Sequence, residues 1–284
     1  MTLHPAQRFR APSTMGKGVP LKAMFSRHAV SLLAKSFTAA HSGFPTVRFA
    51  RQALAGLDDL ELMPRATHLA HALAAHLPSD PADATRILIA ALGPELTATH
   101  GHGLAPFFYL PHVRYIQHHL IDHIALGMQA NYEVTKRFSA EFSLRPYLLR
   151  YPEKTLATLR RWALDANPHV RRLVSEGTRP RLPWAERLKP FQQDPTLTLA
   201  LLELLKDDPE LYVRRSVANH LGDIAKDHPA IAFATCSRWL DEMAEAEPRR
   251  AENRRWMIRH AVRLPAQKGA ATAIRLRLAA GGRG

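Results

Sequence analysis

The chain has 284 residues, with 39 lysines and arginines against 25 aspartates and glutamates, for a formal charge of +14. A chain of this length buries roughly 75% of the surface its unfolded form exposes, so no disulfide or metal staple is needed, and the single Cys236 offers no internal bridge. No 18-residue apolar run and no secretory signal core occurs, so neither a membrane span nor export is expected, and a reducing cytoplasm fits.

The positive excess is the electrostatic footprint of a polyanion binder, nucleic acid above all. Along the chain, residues 1–18 (MTLHPAQRFRAPSTMGKG) are polar and aperiodic and read as a disordered arm, with Met15 as an alternative start. Residues 19–280 read as one domain. The stretches LKAMFSRHAVSLLAKSF and ATRILIAALG place apolar residues at three- and four-residue steps, the mark of amphipathic helices. His119 and His123 in IQHHLIDHI have the i,i+4 spacing of helical metal ligands but no third partner, and no metal is assigned. Prolines 152, 168, 195, 209 and 229 mark helix starts. Asn167, Asp194 and Asp208 precede three of them as N-cap residues.

An internal repeat runs through the second half. KRFSAEFSLRP (136–146) matches RRLVSEGTRP (171–180) at a spacing of 35, aligning Arg137 with Arg172 and Glu141 with Glu176. The triplet Val170-Arg171-Arg172 returns as Val213-Arg214-Arg215 at a spacing of 43, and NRRWMIRHAVR (253–263) is a weaker copy. Helical periods near 40 residues define an all-α solenoid of HEAT-like repeats, stacked into a C-shaped array with a concave face. Between Val134 and Pro190 thirteen basic residues face five acidic ones. Arg171, Arg172, Arg214 and Arg215, in register, are assigned to a basic groove that binds DNA phosphates. Arg179 and Arg181 in the turn GTRPRLP join them.

Carboxylates stand inside this basic frame. Arg precedes Glu in the pairs Arg137/Glu141 and Arg172/Glu176, the poorer order for a helix salt bridge. Glu176 also precedes Gly177 at a helix end, where the macrodipole disfavours negative charge by roughly 0.3–1 kcal/mol. Stability is therefore a weak reason for Glu176. In the next repeat Asn219 aligns with it, and Asp223 lies one turn further on the same face. Trp184 follows in the turn, as a core residue or as an aromatic face that attracts a cation.

The segments VRRLVSEGTRPRLPWA and DPELYVRRSVANHLGDIAKDHP, with the opening PLKAMFSRHAV, resemble the AlkC branch of the AlkC/AlkD family of DNA alkylation-repair glycosylases. The resemblance covers roughly 19–280. It implies a HEAT-like solenoid that grips duplex DNA, a monomer, and no metal or other cofactor. It further implies excision of cationic alkylated bases, typically N3-methyladenine, without base flipping. By the same resemblance Glu176, Trp184 and Asp223 match the active-site glutamate, tryptophan and catalytic carboxylate. Glu141 matches a further acidic residue of the branch, and Arg172 a DNA-facing arginine. The chain ends near Gly284, so the immunoglobulin-like domain appended in some members is not expected. The alternative of another class is a HEAT-repeat scaffold that binds DNA or protein without catalysis.

Overall fold

The computed structural model describes residues 3–11, 20–245 and 247–283, and among these every regular element is helical. Contacts divide the chain into two compact units, Met1–Arg150 and Tyr151–Gly284, where the sequence pattern reads as one domain.

The first unit holds α1 (Arg27–Ala40), α2 (Thr46–Leu54), α3 (Leu62–Ala74), α4 (Pro81–Ala90), α5 (Leu110–His119), α6 (Ile124–Thr135) and α7 (Glu141–Arg150). Its core is apolar and aromatic, with Phe25, Phe37, Phe49, Leu69, Leu73 and Phe108 fully buried. Buried Arg65 ties loop to helix by donating to the carbonyls of Lys22, Phe25, Asp58 and Leu60. The N-terminal segment departs from the expected disordered arm. Pro5–Arg8 forms a 3₁₀ turn, and Phe9 is buried against Phe108 at 5.5 Å. One buried aromatic ring contributes enough to hold a short polar stretch in place. Residues 12–18, with Met15, lie outside the described residues.

The second unit holds α8 (Pro152–Trp162), α9 (Pro168–Gly177), α10 (Lys189–Gln193), α11 (Thr196–Leu205), α12 (Leu211–Asp227), α13 (Pro229–Asp241), α14 (Pro248–Ala261), α15 (Arg263–Gln267) and α16 (Ala271–Ala279). It is a stack of helix pairs. In one layer α12 lies between α9 and α14, and α8, α11 and α13 back them. The seam is built from Val170, Leu173 and Val174 of α9, Val213, Val217, Leu221 and Ile224 of α12, and Met257 and Ile258 of α14, all buried. Each such side chain contributes roughly 1.5–3 kcal/mol on burial, so no helix pair is stable without its neighbour.

The proline signals work in two ways. Pro152, Pro168 and Pro229 occupy first helical positions, and the Asn167 side chain caps α9 by accepting from the His169 amide at 2.9 Å. Asp194 and Asp208 instead sit just outside their helices. Each accepts from the amide two residues on, at 2.9 Å, and α11 and α12 start at Thr196 and Leu211. An Asx turn ahead of the helix competes with the cap.

Candidate active site

The first arginine of each repeat is a staple. Arg171 grips Asp208 with Nε and Nη2, at 2.6 and 3.1 Å, and its Nη1 donates to the carbonyls of Asp165 and Ala166. Arg214, 43 residues on, donates to the carbonyls of Asp208 and Pro209 at 2.8 and 2.7 Å. Arg254 repeats the pattern on Asp207 and the Trp239 carbonyl. Arg171 and Arg214, assigned from sequence to phosphates, thus turn their donors onto loop carbonyls and Asp208. The second arginines do not share one environment. Arg172 stays partly accessible over the Tyr212 ring, at 5.2 Å, and Arg215 is exposed.

The last turn of α9 places Glu176, 6% exposed, against α12, where Asp223 is 2% exposed. One guanidinium joins them. Arg179 donates from Nη1 to Glu176 Oε1 and from Nε to Asp223 Oδ2, both at 2.8 Å. Arg172 adds an ion pair to Glu176 Oε1 at 3.3 Å, and the Ser216 hydroxyl donates to Glu176 Oε2 at 2.6 Å. On the other carboxylate, Lys226 Nζ reaches Asp223 Oδ1 at 2.8 Å from a half-exposed side chain. Burial pushes the Glu176 carboxyl up, but Arg172, Arg179 and the Ser216 hydroxyl outweigh it and hold the group below its ordinary value of 4.5. The unfavourable helix-end position of Glu176 is thereby offset by two cations and a hydroxyl. His220 lies between Ser216 and Asp223 on the same stripe of α12. Its Nδ1 meets the Ser175 carbonyl at 3.0 Å, and burial pushes the imidazole down to about 4, so it is neutral at pH 7.

The turn after α9 is anchored twice. Arg179 ties it to the carboxylate pair, and Arg181 makes a bidentate pair with Asp227 of α12. Both arginines were assigned to phosphates from sequence, and the fold gives both of them carboxylates instead. Between this anchored segment and α10, Trp184 is 55% exposed, which removes it from the core. Its φ of 63° is the only positive φ of a non-glycine among the described residues. A bulky residue in the left-handed region is held there by its surroundings at a cost, and such strain gathers at functional sites.

Glu141 opens α7 in the first unit. There it sits at the favourable end of the helix dipole and accepts from the Ser139 hydroxyl at 2.7 Å. Its alignment with Glu176 does not hold as a structural equivalence, because one carboxylate begins a helix and the other ends one. Arg137 lies ahead of α7, where it donates to the Gly93 carbonyl and pairs with Glu133 at 3.0 Å. Likewise His119 ends α5 while His123 precedes α6, so the two do not share a helix. His119 Nε2 meets His71 Nδ1 at 3.0 Å. Ser216 and Lys226 are the polar partners that the sequence reading missed. Ser216, His220 and Asp223 do recur at i, i+4 and i+7 on α12, a polar stripe on an otherwise apolar face.

Helix pairs in series, with two buried carboxylates bridged across repeats and a strained, exposed tryptophan in the segment that follows α9, define a helical-repeat protein with the makings of an enzyme. The family model described as "DNA alkylation repair enzyme" matches residues 120–264, which contain every residue of this network. The chain belongs to the DNA alkylation repair enzyme family. It is 32% identical over 257 residues to "Uncharacterized protein YhaZ" of Bacillus subtilis (strain 168), covering 90% of this chain and 67% of that one. Among solved structures it is similar to the Pseudomonas fluorescens alkylpurine DNA glycosylase AlkC bound to DNA containing an abasic site analog. The TM-score is 0.79 at 35% identity, over 91% of this chain and 67% of that chain. The chain thus spans about two thirds of the length of both relatives. Among the described residues no helix is long and apolar enough to cross a membrane.

Proposed function

We propose that the protein is a DNA glycosylase that releases cationic N-alkylated bases, such as N3-methyladenine, from duplex DNA, acting on the base without flipping it into a pocket. The observation that carries this reading is the pair Glu176 and Asp223, both buried and bridged by Arg179. Alkylation at a ring nitrogen puts positive charge on the base, so it departs readily. The N-glycosidic bond breaks with its electron pair going to the base, which becomes neutral, and C1′ of the deoxyribose takes on oxocarbenium character. Water then bonds to C1′ and gives up a proton. Carboxylates fixed before the reaction stabilise that developing charge more than the ground state.

The division of labour follows from how each carboxylate is held. Both oxygens of Glu176 are occupied by buried or half-buried partners, which suits a fixed field. Asp223 keeps one oxygen on buried Arg179 and the other on Lys226, whose side chain is half exposed. Lys226 is the more accessible of the two partners, so Oδ1 is the atom that can turn to orient and deprotonate the water. Trp184 offers its ring face to the cationic sugar or base. Arg172 and Arg215 are the phosphate contacts, and Arg179 is a positioning residue.

Asp223→Asn tests the reading. Asn keeps an acceptor for Arg179 but loses the base and the charge. Release of methylated adenine from methylated duplex is expected to fall by about 10²–10⁴-fold, with duplex affinity retained. Full activity in a folded Asp223→Asn protein would remove Asp223 from the chemistry, and absence of release by the unaltered protein would leave a DNA-binding scaffold.

A further inference from the structure

A concave feature of the second unit lies apart from the carboxylate pair. It is a cleft of about 820 Å³ walled by α14, the first residue of α15 and the turn that follows α16. Five guanidinium groups line it, from Arg255, Arg259, Arg263, Arg277 and Arg283, with Glu252 as the single carboxylate. That carboxylate is engaged by Arg259 at 3.0 Å and lies 3.9 Å from Arg255. Arg277 and Arg283 have no carboxylate within ion-pair distance among the described residues. The cleft therefore carries a large uncompensated positive charge.

The local backbone assembles this charge. Arg259 Nη1 donates to the Ala280 carbonyl at 2.6 Å and so fixes the end of α16. Gly281 follows with a φ of 77°, and a Cβ on Gly282 would fall 2.8 Å from Arg277 Cγ and 3.2 Å from Arg259 Cδ. The two glycines let two arginines converge where a side chain would push them apart. Beneath them the Trp256 and His260 rings stack at 5.0 Å and 13°, a half-buried aromatic floor. The cleft also continues the repeat. Arg255 stands 40 residues after Arg215, which stands 43 after Arg172, and these are the second arginines of successive repeats on stacked helices. Arg263 and His260 both contact Asn219 Oδ1 of α12, each at 3.2 Å, one turn from Asp223.

We propose that this cleft is a second phosphate site, which takes successive phosphates of one DNA strand on the side of α12 away from Glu176. The ligand class, a chain of phosphodiesters, rests on the DNA-glycosylase reading. The spread of the arginines over a helix, a turn and a row of repeats suits a backbone rather than one free phosphate, which a few convergent donors would satisfy.

The test uses the full chain and undamaged duplex, so that it does not depend on base release. Binding is followed by fluorescence anisotropy against KCl concentration for the unaltered protein and for Arg255→Gln/Arg277→Gln. A control, Lys268→Gln/Arg275→Gln, removes two exposed charges outside the cleft. Loss of two phosphate contacts flattens the log–log salt slope by about 1.8. The cleft variant is expected to show this with the melting temperature unchanged, and the control to show much less. An unchanged slope in a protein that still binds duplex and releases bases overturns the cleft and spares the glycosylase reading. Equal flattening in the control also overturns it. Tight binding of inorganic phosphate by calorimetry, lost in the cleft variant without change in the DNA slope, assigns the site to free phosphate and overturns the DNA assignment. Failure of the unaltered protein to bind duplex refutes both readings together.

Discussion

Replacing Arg179 by methionine removes the one group that joins the two buried carboxylates. Breaking a buried ion pair by deleting one partner costs about 3–5 kcal/mol, because the remaining charge is left without compensation. Two features place this case near the lower limit. Glu176 keeps Arg172 at 3.3 Å and the Ser216 hydroxyl at 2.6 Å, and Asp223 keeps Lys226 at 2.8 Å. A loss of about 3 kcal/mol corresponds to a fall in melting temperature of roughly 6–12 °C for a chain of this size. The pH dependence identifies the cause. In the unaltered protein the folded Glu176 value is depressed, so its contribution is present above the unfolded value of 4.5 and is lost as pH falls through the folded one. Without Arg179, burial acts less opposed on Glu176 and its folded value rises. A raised carboxyl destabilises above its unfolded value and recovers as pH falls. The difference in melting temperature between the two proteins is therefore largest near neutrality and narrows toward pH 4.5. Differential scanning fluorimetry across that range measures it. A gap that is absent, or that stays constant with pH, refutes the claim that Arg179 acts by compensating ionised carboxylates.

Ser216→Ala removes a hydrogen bond to a charged oxygen, a contact that contributes about 1.5–3 kcal/mol, and the urea midpoint is expected to fall accordingly. An unchanged midpoint would show that Glu176 does not rely on the hydroxyl. Trp184→Gly relieves a left-handed conformation that costs a side-chain-bearing residue roughly 1–2 kcal/mol, and a ring 55% exposed returns little of that through burial. The glycine variant is expected to be more stable by about 1 kcal/mol and Trp184→Ala nearly neutral, while both lose base release. A destabilised glycine variant would place the ring in a packing role.

The helical class and the repeat were legible because their signals are local. Pro168 after Asn167 starts a helix whatever follows, and apolar residues at three- and four-residue steps must find a partner layer. What the sequence concealed depends on partners distant along the chain. Arg171 and Arg172 are adjacent and alike in accessibility, yet the first staples Asp208, 37 residues on, and the second lies over Tyr212 and pairs with Glu176. Arg179 reads as one more basic residue in a basic turn until α12 is packed beside it and Asp223 arrives within 2.8 Å. The match of KRFSAEF to RRLVSEG failed for a related reason. Identity of letters at a fixed spacing does not say where a helix breaks, and residues 136–140 are the break. The strain at Trp184 had no local mark at all, since a positive φ is ordinarily announced by glycine or asparagine.

One electrostatic difficulty attends the proposed chemistry, and the way the site is held meets it. Glu176 and Asp223 carry two negative charges, while Arg172, Arg179 and Lys226 carry three positive ones. Such a cluster is net positive and would oppose a cationic sugar. The three cations are not equally fixed. Arg179 is 9% exposed and bonded to both carboxylates. Lys226 is half exposed, and Arg172 approaches Glu176 only to 3.3 Å. A DNA backbone offers phosphates that compete for Lys226 and Arg172 and cannot compete for buried Arg179. On the proposed reading those two cations turn to phosphate, and the remaining triad of Glu176, Arg179 and Asp223 is net negative. On this account the carboxylates are masked in the free protein and exposed electrostatically by the substrate itself, so that binding energy from the backbone is converted into stabilisation of the transition state.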